Sequence, residues 1–491
     1  MIQLPKKISV YVICSIAFLG ILLRVIMLFQ HRSLIIDEAN VVRNIAELNF
    51  FELTQALKYE QFAPVIFLWF QKIISMFFGF DEVPMRFFSF LNGVASIFLM
   101  IKIAYKLKLE KYIWLPLGIF CFSLVYIEYA TCVKQYMSDV CGSFLLIYAS
   151  QCLSISKIST KKFVIYWSIL GAFSVWFSMP SVFILSGIFF YYFFEQLKNK
   201  KQVLVIIIPA FLWVLSFGIY FFYLLRFQVQ SSYLMNYYQG KYLQFFPFSI
   251  ANYKNNYQLL ISIFQSLGGK SVVSISLSIL FVSMGIFYLV KSSKQLFVLF
   301  CFPLLLLLLA SFLNYYVIVT RIILFIFPVM LVLYAFGMKY IEERYEANGQ
   351  KFLALAGIMV LILCQKFSLF YKPHQFFEVK QGIEFIINDN KPFSKIILHH
   401  AIKDAYSYYT TWHSDKEKIN SIIKEKYDMN WDVDYKNINQ VSDSCYFLYC
   451  GGLNETDEKQ LENKIESSMI IINSFYQNRC MVKKIVRKKE F

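Results

Sequence analysis

The sequence predicts a mainly α-helical polytopic membrane protein with a small α/β domain at its C-terminal end. Of the 491 residues, 58% are hydrophobic and 19% aromatic, while only 16% are charged, against about a quarter in typical soluble domains. Apolar runs long enough to cross a bilayer recur over residues 1–371. Residues 372–491 have a mixed, water-compatible pattern. These observations exclude a soluble enzyme, a disordered chain and a coiled coil.

About eleven apolar runs are predicted to be transmembrane helices. The first, 8–29, follows Lys6 and Lys7 and is too long for a signal peptide, so it is interpreted as a retained anchor. The other ten are 83–105, 112–127, 139–155, 161–178, 180–197, 203–225, 271–290, 295–313, 317–338 and 351–371. We therefore expect a transmembrane domain over residues 1–371 and a second domain over residues 372–491.

The lysine-rich loops predict the orientation. One further run, 64–79, is short and contains Gln71 and Lys72. If it does not cross, the basic loops face the cytoplasm, as the positive-inside rule requires; if it crosses, they all move outside. These loops contain Lys102/Lys106/Lys108/Lys111, Lys157/Lys161/Lys162, Lys198/Lys200/Lys201, Lys291/Lys294 and Lys339/Arg344/Lys351.

The favoured arrangement puts the N-terminus in the cytoplasm and the chain in the cytoplasmic (inner) membrane. The segment 64–79 then lies in the outer leaflet as an interfacial helix. The first loop (30–82), a loop of about 226–270 and the C-terminal domain (372–491) face the exterior. The aromatic stretch 236–248 either stacks on a ligand or forms part of the interfacial aromatic belt.

The net charge of +17 does not indicate a nucleic-acid-binding protein. Residues 1–371 contain 30 Lys and Arg against 14 Asp and Glu, and residues 372–491 contain 18 against 17. The positive excess is divided among short loops, whereas nucleic acid requires a continuous basic stripe. The ten cysteines have no metal-ligand spacing, although one disulfide is possible among the three in the tail.

The tail contains short elements of both kinds. The stretches SKIILHH, CYFLYCGG and MVKKIV predict buried strands, and ETDEKQLENKIESSMI predicts an amphipathic helix. Together they indicate a small α/β domain.

Acidic residues are the first candidates for chemistry, because charge near the membrane is costly unless it has a function. Residues 1–371 contain three aspartates, Asp37, Asp81 and Asp139. Asp37 and Glu38 follow the first span and open a segment whose apolar residues share one helical face, which predicts a helix lying flat on the membrane. The alternative for Asp37 is a helix cap, and Asp81 has the pattern of an ordinary turn.

Two further groups are expected on the same outer side as Asp37. Segment 126–140 contains Lys134 and lies between the third and fourth spans, and Arg321 begins the tenth span. Two cations can hold a lipid phosphate, and a carboxylate can act as a general base on a hydroxyl group. The alternatives are a solvated loop for 126–140 and a snorkelling side chain for Arg321.

The order of several segments resembles the type C glycosyltransferases. More narrowly, the chain is similar to bacterial relatives of protein O-mannosyltransferases and of the aminoarabinose transferase of lipid A, a family 39-like group. The resemblance depends on the order and spacing of DEA, APVIFLWFQKI, MRFFSFLNGVAS, YATCVKQYMSD and TRIILFIFPVMLVLYAFG, and it covers essentially the whole chain.

This resemblance implies an enzyme that transfers one sugar, with inversion, from a polyprenyl-phosphate carrier to a glycan, lipid or protein of the cell envelope. The acid pair of the family matches Asp37 and Glu38, which are the catalytic candidates, and Asp37 would deprotonate or orient the acceptor. The Lys/Arg-x-Tyr of the family matches Lys134 and Tyr136, and its late arginine matches Arg321. These three residues are candidates for binding the carrier phosphate.

The sequence departs from the family at one position. Relatives often have Glu where Cys132 stands, and Glu128 would supply a carboxylate on the same face if 126–140 were one helix; Asp139 would share that face. Glu128, Asp139 and Arg43 are therefore supporting candidates. No metal or other cofactor is required by the sequence, although Glu38 and Asp139 are of the right kind to join Asp37 around a divalent cation.

Two other functions compete with the transferase. A polyprenyl-lipid flippase or transporter would place polar residues at mid-membrane and often shows internal repeats, whereas the candidates here lie at span ends. A non-catalytic assembly subunit of the same fold is the second alternative, and Cys132 is its only support in the sequence.

Overall fold

The structure is a computed structural model that describes most of the chain. The described residues are 6–196, 200–229, 232–364, 378–389, 394–399, 402–429, 444–450, 459, 463, 465–467, 469–477 and 480–487. The end of the last predicted span and most of the predicted helix in the tail lie outside them.

The first part of the chain is helical throughout. Its α-helices are α1 (Lys6–Leu28), α2 (Ile36–Glu47), α3 (Val65–Phe78), α4 (Glu82–Lys106), α5 (Trp114–Phe122), α6 (Leu124–Tyr129), α7 (Tyr136–Cys152), α8 (Thr160–Phe177), α9 (Ser181–Gln196), α10 (Lys200–Tyr220), α11 (Arg226–Val229), α12 (Ser232–Tyr237), α13 (Ile250–Gly268), α14 (Val272–Ser292), α15 (Lys294–Phe312) and α16 (Phe327–Cys364). A π-helical turn, Phe221–Leu225, extends α10, and short 3-10 turns occupy Glu52–Thr54 and Leu324–Ile326.

The helices agree with the predicted spans. Within the described residues, six helices are long and apolar enough to cross a membrane: Val10–Leu28, Glu82–Lys106, Val205–Leu225, Val272–Ser292, Lys294–Phe312 and Leu324–Val360. The other predicted spans coincide with α5 and α6, with α7, α8 and α9, and with the second part of α16, which are shorter or more polar. The mainly α polytopic fold is confirmed.

The long helix α16 consists of two segments that meet at Glu346. The backbone of Glu346 has φ 45° and ψ −121°, which ends the first segment. A methyl group at Gly349 would lie 2.7 Å from the carbonyl oxygen of Ile341, so the chain reverses here and needs a residue without a side chain. The reversal separates the predicted spans 317–338 and 351–371.

The described parts of several basic loops lie together at one end of the molecule, which we call the lysine end. Lys111 forms an ion pair with Glu342, so the loop after α4 meets the middle of α16. One cavity at this end is lined by Lys106, Leu107, Lys108, Gln151, Tyr191, Glu195, Ser293, Gln295 and Leu296. The clustering agrees with the common side predicted for these loops.

The first loop lies at the opposite end, and α3 in it has the character of an interfacial helix. Its inner face is buried, and Gln71 donates a hydrogen bond to the carbonyl oxygen of Met85 over 2.8 Å. Its outer face exposes Met76, Phe77 and Phe78 at 67–77%. An exposed aromatic face on a soluble surface would be costly, so this face is suited to lipid.

The apolar face of helix α2 is covered by protein and is not available to lipid. Its apolar residues Val41, Val42 and Ile45 are fully buried, because α3 and α18 of the C-terminal domain (Lys403–Thr411) pack against it. The prediction of a flat, membrane-bound helix is therefore wrong, since protein covers the apolar face. Asp37 is also not its cap, because the helix begins at Ile36.

The C-terminal part is an α/β unit, as predicted. Its described elements are α17 (Val379–Asn388), β1 (Ser394–His399), α18 (Lys403–Thr411), α19 (Lys416–Ile422), β2 (Ile423–Met429), β3 (Ser444–Cys450), β4 (Met469–Gln477) and β5 (Cys480–Arg487). The sheet has the order β2-β1-β3-β5-β4, with β1 parallel to β2 and β3 and with β5 antiparallel to β3 and β4.

The sequence predicted three of these strands and missed β2 and β4. Strand β2, with the sequence IKEKYDM, is too charged to be recognised as a strand. Met469 and Ile470 of β4 belong by their sequence pattern to the end of the predicted helix 455–470. Cys480 is disulfide-bonded and stands opposite Cys450 in the β3–β5 register.

The C-terminal domain packs directly on the first loop. A continuous apolar cluster joins Val41, Ile45 and Phe67 of the loop to Ile383 and Tyr408 of the domain. Polar contacts surround it: the Tyr408 hydroxyl donates to the carbonyl oxygen of Phe80 over 2.7 Å, and the backbone N–H of Ser414 donates to Asp81 over 3.0 Å. We call this half of the molecule the domain end.

Candidate active site

A cavity of about 190 Å³ lies at the domain end, where the first loop meets the helical bundle. Its walls come from the start of α2, from α4, from the segment between α6 and α7, and from the turn before α16. The lining residues are Arg32, Ser33, Ile35, Asp37, Glu38, Arg86, Glu128, Tyr129, Cys132, Tyr136 and Arg321. Five residues predicted at separate positions in the sequence, Asp37, Glu38, Glu128, Tyr136 and Arg321, are thus brought together.

The two charged groups most distant in sequence, Asp37 and Arg321, form an ion pair in this cavity. Arg321 donates from Nη1 to Oδ2 of Asp37 over 3.1 Å, and the side chains remain 24% and 34% exposed. The other guanidinium nitrogen, Nη2, lies 3.5 Å from the hydroxyl of Tyr238, which directly follows α12. Oδ1 of Asp37 has no hydrogen-bond donor within the described part of the chain, so it is open to a ligand.

Lys134 is a buried cation beside this pair. It lies between α6 and α7, and its Nζ donates to Oε1 of Gln61 over 2.5 Å. That amide oxygen is its hydrogen-bond acceptor among the residues that the structure describes. Burial lowers the pKa of Lys134, and the nearby Asp37 carboxylate opposes the shift while Arg321 adds to it.

Glu38 has a different environment from Asp37. Its carboxylate is 3% exposed and forms an ion pair with Arg86 of α4, whose Nη2 donates to Oε2 over 2.9 Å. The backbone N–H groups of Val133 and Ile35 donate to the two carboxylate oxygens over 2.7 and 3.2 Å. Burial opposes ionisation of Glu38, but the Arg86 cation and these hydrogen bonds lower its pKa overall.

Arg86 and Arg32 connect three chain segments in the wall of the cavity. Besides holding Glu38, Arg86 donates to the carbonyl oxygens of Arg32 and Ser33 over 2.7 and 3.0 Å. Arg32 in turn donates to the carbonyl and hydroxyl oxygens of Thr131 over 2.7 and 2.8 Å. The sequence prediction missed Arg32 and Arg86, although a lone arginine in the apolar run 83–105 is itself a signal of a functional or paired charge.

Two tyrosines form an aromatic wall of the cavity. Tyr129, at the end of α6, and Tyr136, at the start of α7, lie edge to face with ring centroids 5.3 Å apart. Tyr136 was predicted to bind phosphate, and it lines the same cavity as Arg321. Tyr129 was not predicted.

Segment 126–140 is not one continuous helix. Helix α6 ends at Tyr129 and α7 begins at Tyr136, so the condition for a face shared by Glu128, Cys132 and Asp139, a single helix, is not met. Glu128 and Cys132 line the cavity, whereas Asp139 is buried in α7 outside that lining. The structure therefore separates Asp139 from the other candidates.

Arg43 lies away from the cavity, in contact with the C-terminal domain. Its Nη1 donates to Oδ1 of Asp404 over 2.7 Å, and its guanidinium covers the ring of Tyr59 at 3.9 Å from the centroid. Arg43 therefore has no contact with the cavity lining but supports the loop next to it.

The described residues contain no group of three or more His, Cys, Asp or Glu side chains arranged to hold a metal ion. In particular, Glu38 forms an ion pair with Arg86, and Asp139 lies outside the lining of the cavity. The arrangement of Glu38 and Asp139 around Asp37, considered from the sequence, does not form in this structure. The cavity instead combines the partly exposed carboxylates of Asp37 and Glu128 with several cations, which can hold an anionic ligand.

Comparison with solved structures shows the fold. The crystal structure of ArnT from Cupriavidus metallidurans bound to undecaprenyl phosphate is similar over 98% of each chain, with a TM-score of 0.53 and 10% sequence identity. The apo structure of the same ArnT is similar over 97% of each chain, with a TM-score of 0.54 and 9% identity. The chain therefore has an ArnT-like polytopic membrane fold, as the sequence resemblance implied.

The sequence itself matches no protein-family model and no curated protein sequence. At about one identical residue in ten, the two ArnT structures establish the architecture, and the chemistry has to be argued from the side chains of this chain.

Proposed function

We propose that this protein is an inverting glycosyltransferase that moves one sugar from a polyprenyl-phosphate carrier to an acceptor hydroxyl of the cell envelope. The observation that carries the proposal is the cavity in which the accessible carboxylate of Asp37 lies beside Arg321, with Lys134 close by. One carboxylate and two cations are the groups that such a transfer requires.

Asp37 acts as the general base in this proposal. The acceptor hydroxyl gives its proton to Asp37 while its oxygen forms a bond to the anomeric carbon of the sugar. The bond between that carbon and the phosphate oxygen breaks at the same time, so the configuration inverts. The open oxygen Oδ1 is suited to take the proton, because Oδ2 is already occupied by Arg321.

Arg321 and Lys134 stabilise the leaving group. The departing polyprenyl phosphate gains negative charge as the bond to the sugar breaks, and cations in a partly buried site stabilise developing charge far better than they would in water. A phosphate is a good leaving group, so no general acid is needed. Tyr136 and Tyr129 close one side of the cavity, where they can contact the phosphate or the sugar ring.

The donor has to be a lipid, and its position relative to the cavity fits α3. The exposed Phe77 and Phe78 face of that helix is suited to lie in the membrane, so the cavity opens near the level of the lipid head groups. The solved ArnT relative bound to undecaprenyl phosphate supports a carrier of the same class. The sugar and the acceptor are left open by these arguments.

We further propose that the domain end faces the exterior. The positive-inside rule puts the lysine end in the cytoplasm. The disulfide-bonded Cys480 in the C-terminal domain supports an oxidising compartment. The N-terminus is then cytoplasmic, and the reaction occurs at the outer face of the membrane.

The competing functions place different demands on Asp37. A flippase needs cations for the phosphate but no general base, and a non-catalytic assembly subunit needs neither. An accessible carboxylate held beside the cations is therefore the feature that favours a transferase.

Purified protein tests the proposal directly. Wild type, Asp37→Asn, Arg321→Met and the control Glu343→Gln at the lysine end are incubated with a panel of undecaprenyl-phosphate sugars and an envelope extract as acceptor. We expect wild type and Glu343→Gln to release undecaprenyl phosphate from one donor. Asp37→Asn should bind undecaprenyl phosphate without turnover, and Arg321→Met should lose binding. Full turnover by Asp37→Asn would disprove the proposed mechanism.

A further inference from the structure

Next to the cavity, the first loop contains two consecutive residues in a strained backbone conformation. The backbone of Tyr59 has φ 61° and that of Glu60 has φ 52°, values that residues other than glycine rarely adopt. Gln61 follows them directly, and its Nε2 donates to the carbonyl oxygen of Tyr59 over 3.0 Å. Such strain persists only where the surroundings enforce it, and it occurs most often at functional sites.

Helix α2 enforces this conformation through a set of specific contacts. The Asn44 side chain accepts from the backbone N–H of Lys58 over 2.9 Å and donates to its carbonyl oxygen over 3.1 Å. Glu47 accepts from the Tyr59 hydroxyl over 3.1 Å and from Lys58 Nζ over 3.0 Å. The Arg43 guanidinium covers the Tyr59 ring. The backbone and the side chain of the strained turn are thus both held.

The C-terminal domain contacts the part of α2 that holds this turn. Asp404 of α18 accepts from Arg43 over 2.7 Å and from Nδ2 of Asn40 over 3.0 Å. Because Arg43 is only 13% exposed and stacks on Tyr59, fixing its guanidinium also fixes the ring. Contact therefore runs from the C-terminal domain through Arg43 to the strained turn.

The turn presents Gln61 to Lys134. The Lys134 ammonium is buried and donates to a neutral amide oxygen, so its charge is held in position without being neutralised. A carboxylate at position 61 would neutralise it, and an apolar side chain would leave it without an acceptor. A neutral acceptor is the choice that keeps a buried cation available for an incoming anion.

We propose that Gln61 is a positioning residue for the phosphate of the donor, and that the C-terminal domain keeps it in place through Asp404, Arg43 and Tyr59. The inference rests on the proposed function, because it assigns Lys134 to the phosphate. Loosening the domain contact lets Tyr59 and Glu60 relax and moves the Gln61 amide away from Lys134. The C-terminal domain thereby controls donor affinity without touching the donor.

Equilibrium binding of undecaprenyl phosphate to the purified full-length protein in detergent tests this inference. The isosteric change Gln61→Glu should weaken binding at least tenfold, because it pairs Lys134 with an internal anion. Asp404→Asn should weaken binding severalfold, and Asp404→Glu should restore it. In turnover assays, Asp404→Asn should raise KM for the donor and leave kcat unchanged.

Asp81→Asn is the matched control, since it weakens another contact between the first loop and the C-terminal domain, the one from Ser414, without involving the strained turn. Binding by Asp81→Asn should equal that of wild type. If Asp81→Asn weakens binding as much as Asp404→Asn, a general loosening of the domain explains the result and the inference is overturned. Wild-type affinity in Asp404→Asn overturns it equally.

Lys134→Met separates this inference from the function on which it rests. Loss of binding in Lys134→Met together with normal binding in Asp404→Asn and Gln61→Glu overturns the positioning role and leaves the phosphate site intact. Normal binding in Lys134→Met overturns the phosphate site itself, and with it both proposals.

Discussion

At the scale of single residues, two adjacent acids have opposite environments. Asp37 is one-third exposed beside Arg321, whereas Glu38 is buried between Arg86 and two backbone N–H groups. The sequence predicted the DE pair as a unit because the residues are neighbours. The resemblance assigned the role at the acceptor to Asp37, but no local pattern predicted the burial of Glu38, because that burial depends on Arg86, which lies 48 positions along the chain.

Asp37→Asn should abolish transfer without affecting the fold. Removing a general base typically costs about 10²- to 10⁴-fold in rate, and asparagine keeps the shape and the hydrogen bond to Arg321. The rate of undecaprenyl phosphate release measures the loss, and binding of undecaprenyl phosphate serves as the control for folding. Equal losses of binding and turnover would assign Asp37 to donor recognition instead of proton transfer.

Glu38→Gln should act on stability first. Breaking a buried ion pair leaves an uncompensated charge, here Arg86, and costs about 3–5 kcal/mol. We expect lower thermal stability and poor recovery of the purified protein, whereas Glu343→Gln at the lysine end should behave as wild type. A stable Glu38→Gln protein that binds donor but has lost turnover would instead support the catalytic role first predicted for Glu38.

The lowered pKa of Lys134 predicts an alkaline limit to donor binding. The cation is needed for the phosphate, so affinity should fall as the pH rises through the pKa of Lys134, which lies below the ordinary lysine range. The groups that face it are Asp37, Glu38, Arg321 and Cys132. In Lys134→Arg the guanidinium stays charged, so the fall in affinity should move to higher pH or vanish. An unchanged pH profile would show that another group is responsible.

At the scale of elements, the turns between helices carry most of the residues of the candidate site. Periodicity predicted the long helices because an apolar run has the same meaning in any membrane context. It left open whether 126–140, where Lys134 and Cys132 lie, is one helix or a loop, and it gave no indication of the strained turn at Tyr59 and Glu60. Both depend on contacts with α2 and α4 that no local pattern encodes.

Two substitutions at Glu60 test whether the positive φ of this residue matters for donor binding. Both Glu60→Gly and Glu60→Val remove the carboxylate, but glycine adopts positive φ easily and a β-branched residue does not. We expect Glu60→Gly to bind undecaprenyl phosphate better than Glu60→Val, with thermal stability following the same order. Equal behaviour of the two variants would mean that the backbone conformation at this position does not matter.

At the scale of the whole molecule, the chain separates its charges between two ends. Lysine-rich loops gather at one end, while the cavity, the first loop and the C-terminal domain share the other. The distribution of lysines along the sequence was sufficient to predict this division. The packing of the C-terminal domain on α2 was not predictable, because the apolar face of α2 has the same pattern whether lipid or protein covers it.

Cysteine labelling tests the predicted orientation of these ends. Lys418→Cys lies on the exposed surface of the C-terminal domain and Lys161→Cys at the start of α8. A membrane-impermeant maleimide should label Lys418→Cys in intact spheroplasts and Lys161→Cys only after permeabilisation, with wild type as the background. The reverse pattern would contradict the positive-inside assignment and place the cavity in the cytoplasm.

The central claim is that Asp37 drives transfer of a sugar from a polyprenyl-phosphate carrier. Mass spectrometry of lipid-linked sugars and surface glycans, in cells without the gene and in cells complemented by wild type or Asp37→Asn, tests it most directly. We expect one polyprenyl-phosphate sugar to accumulate and one glycan to lose a residue in the deletion strain, with rescue by wild type alone. Full rescue by Asp37→Asn, or an unchanged pool of lipid-linked sugars, would contradict the account.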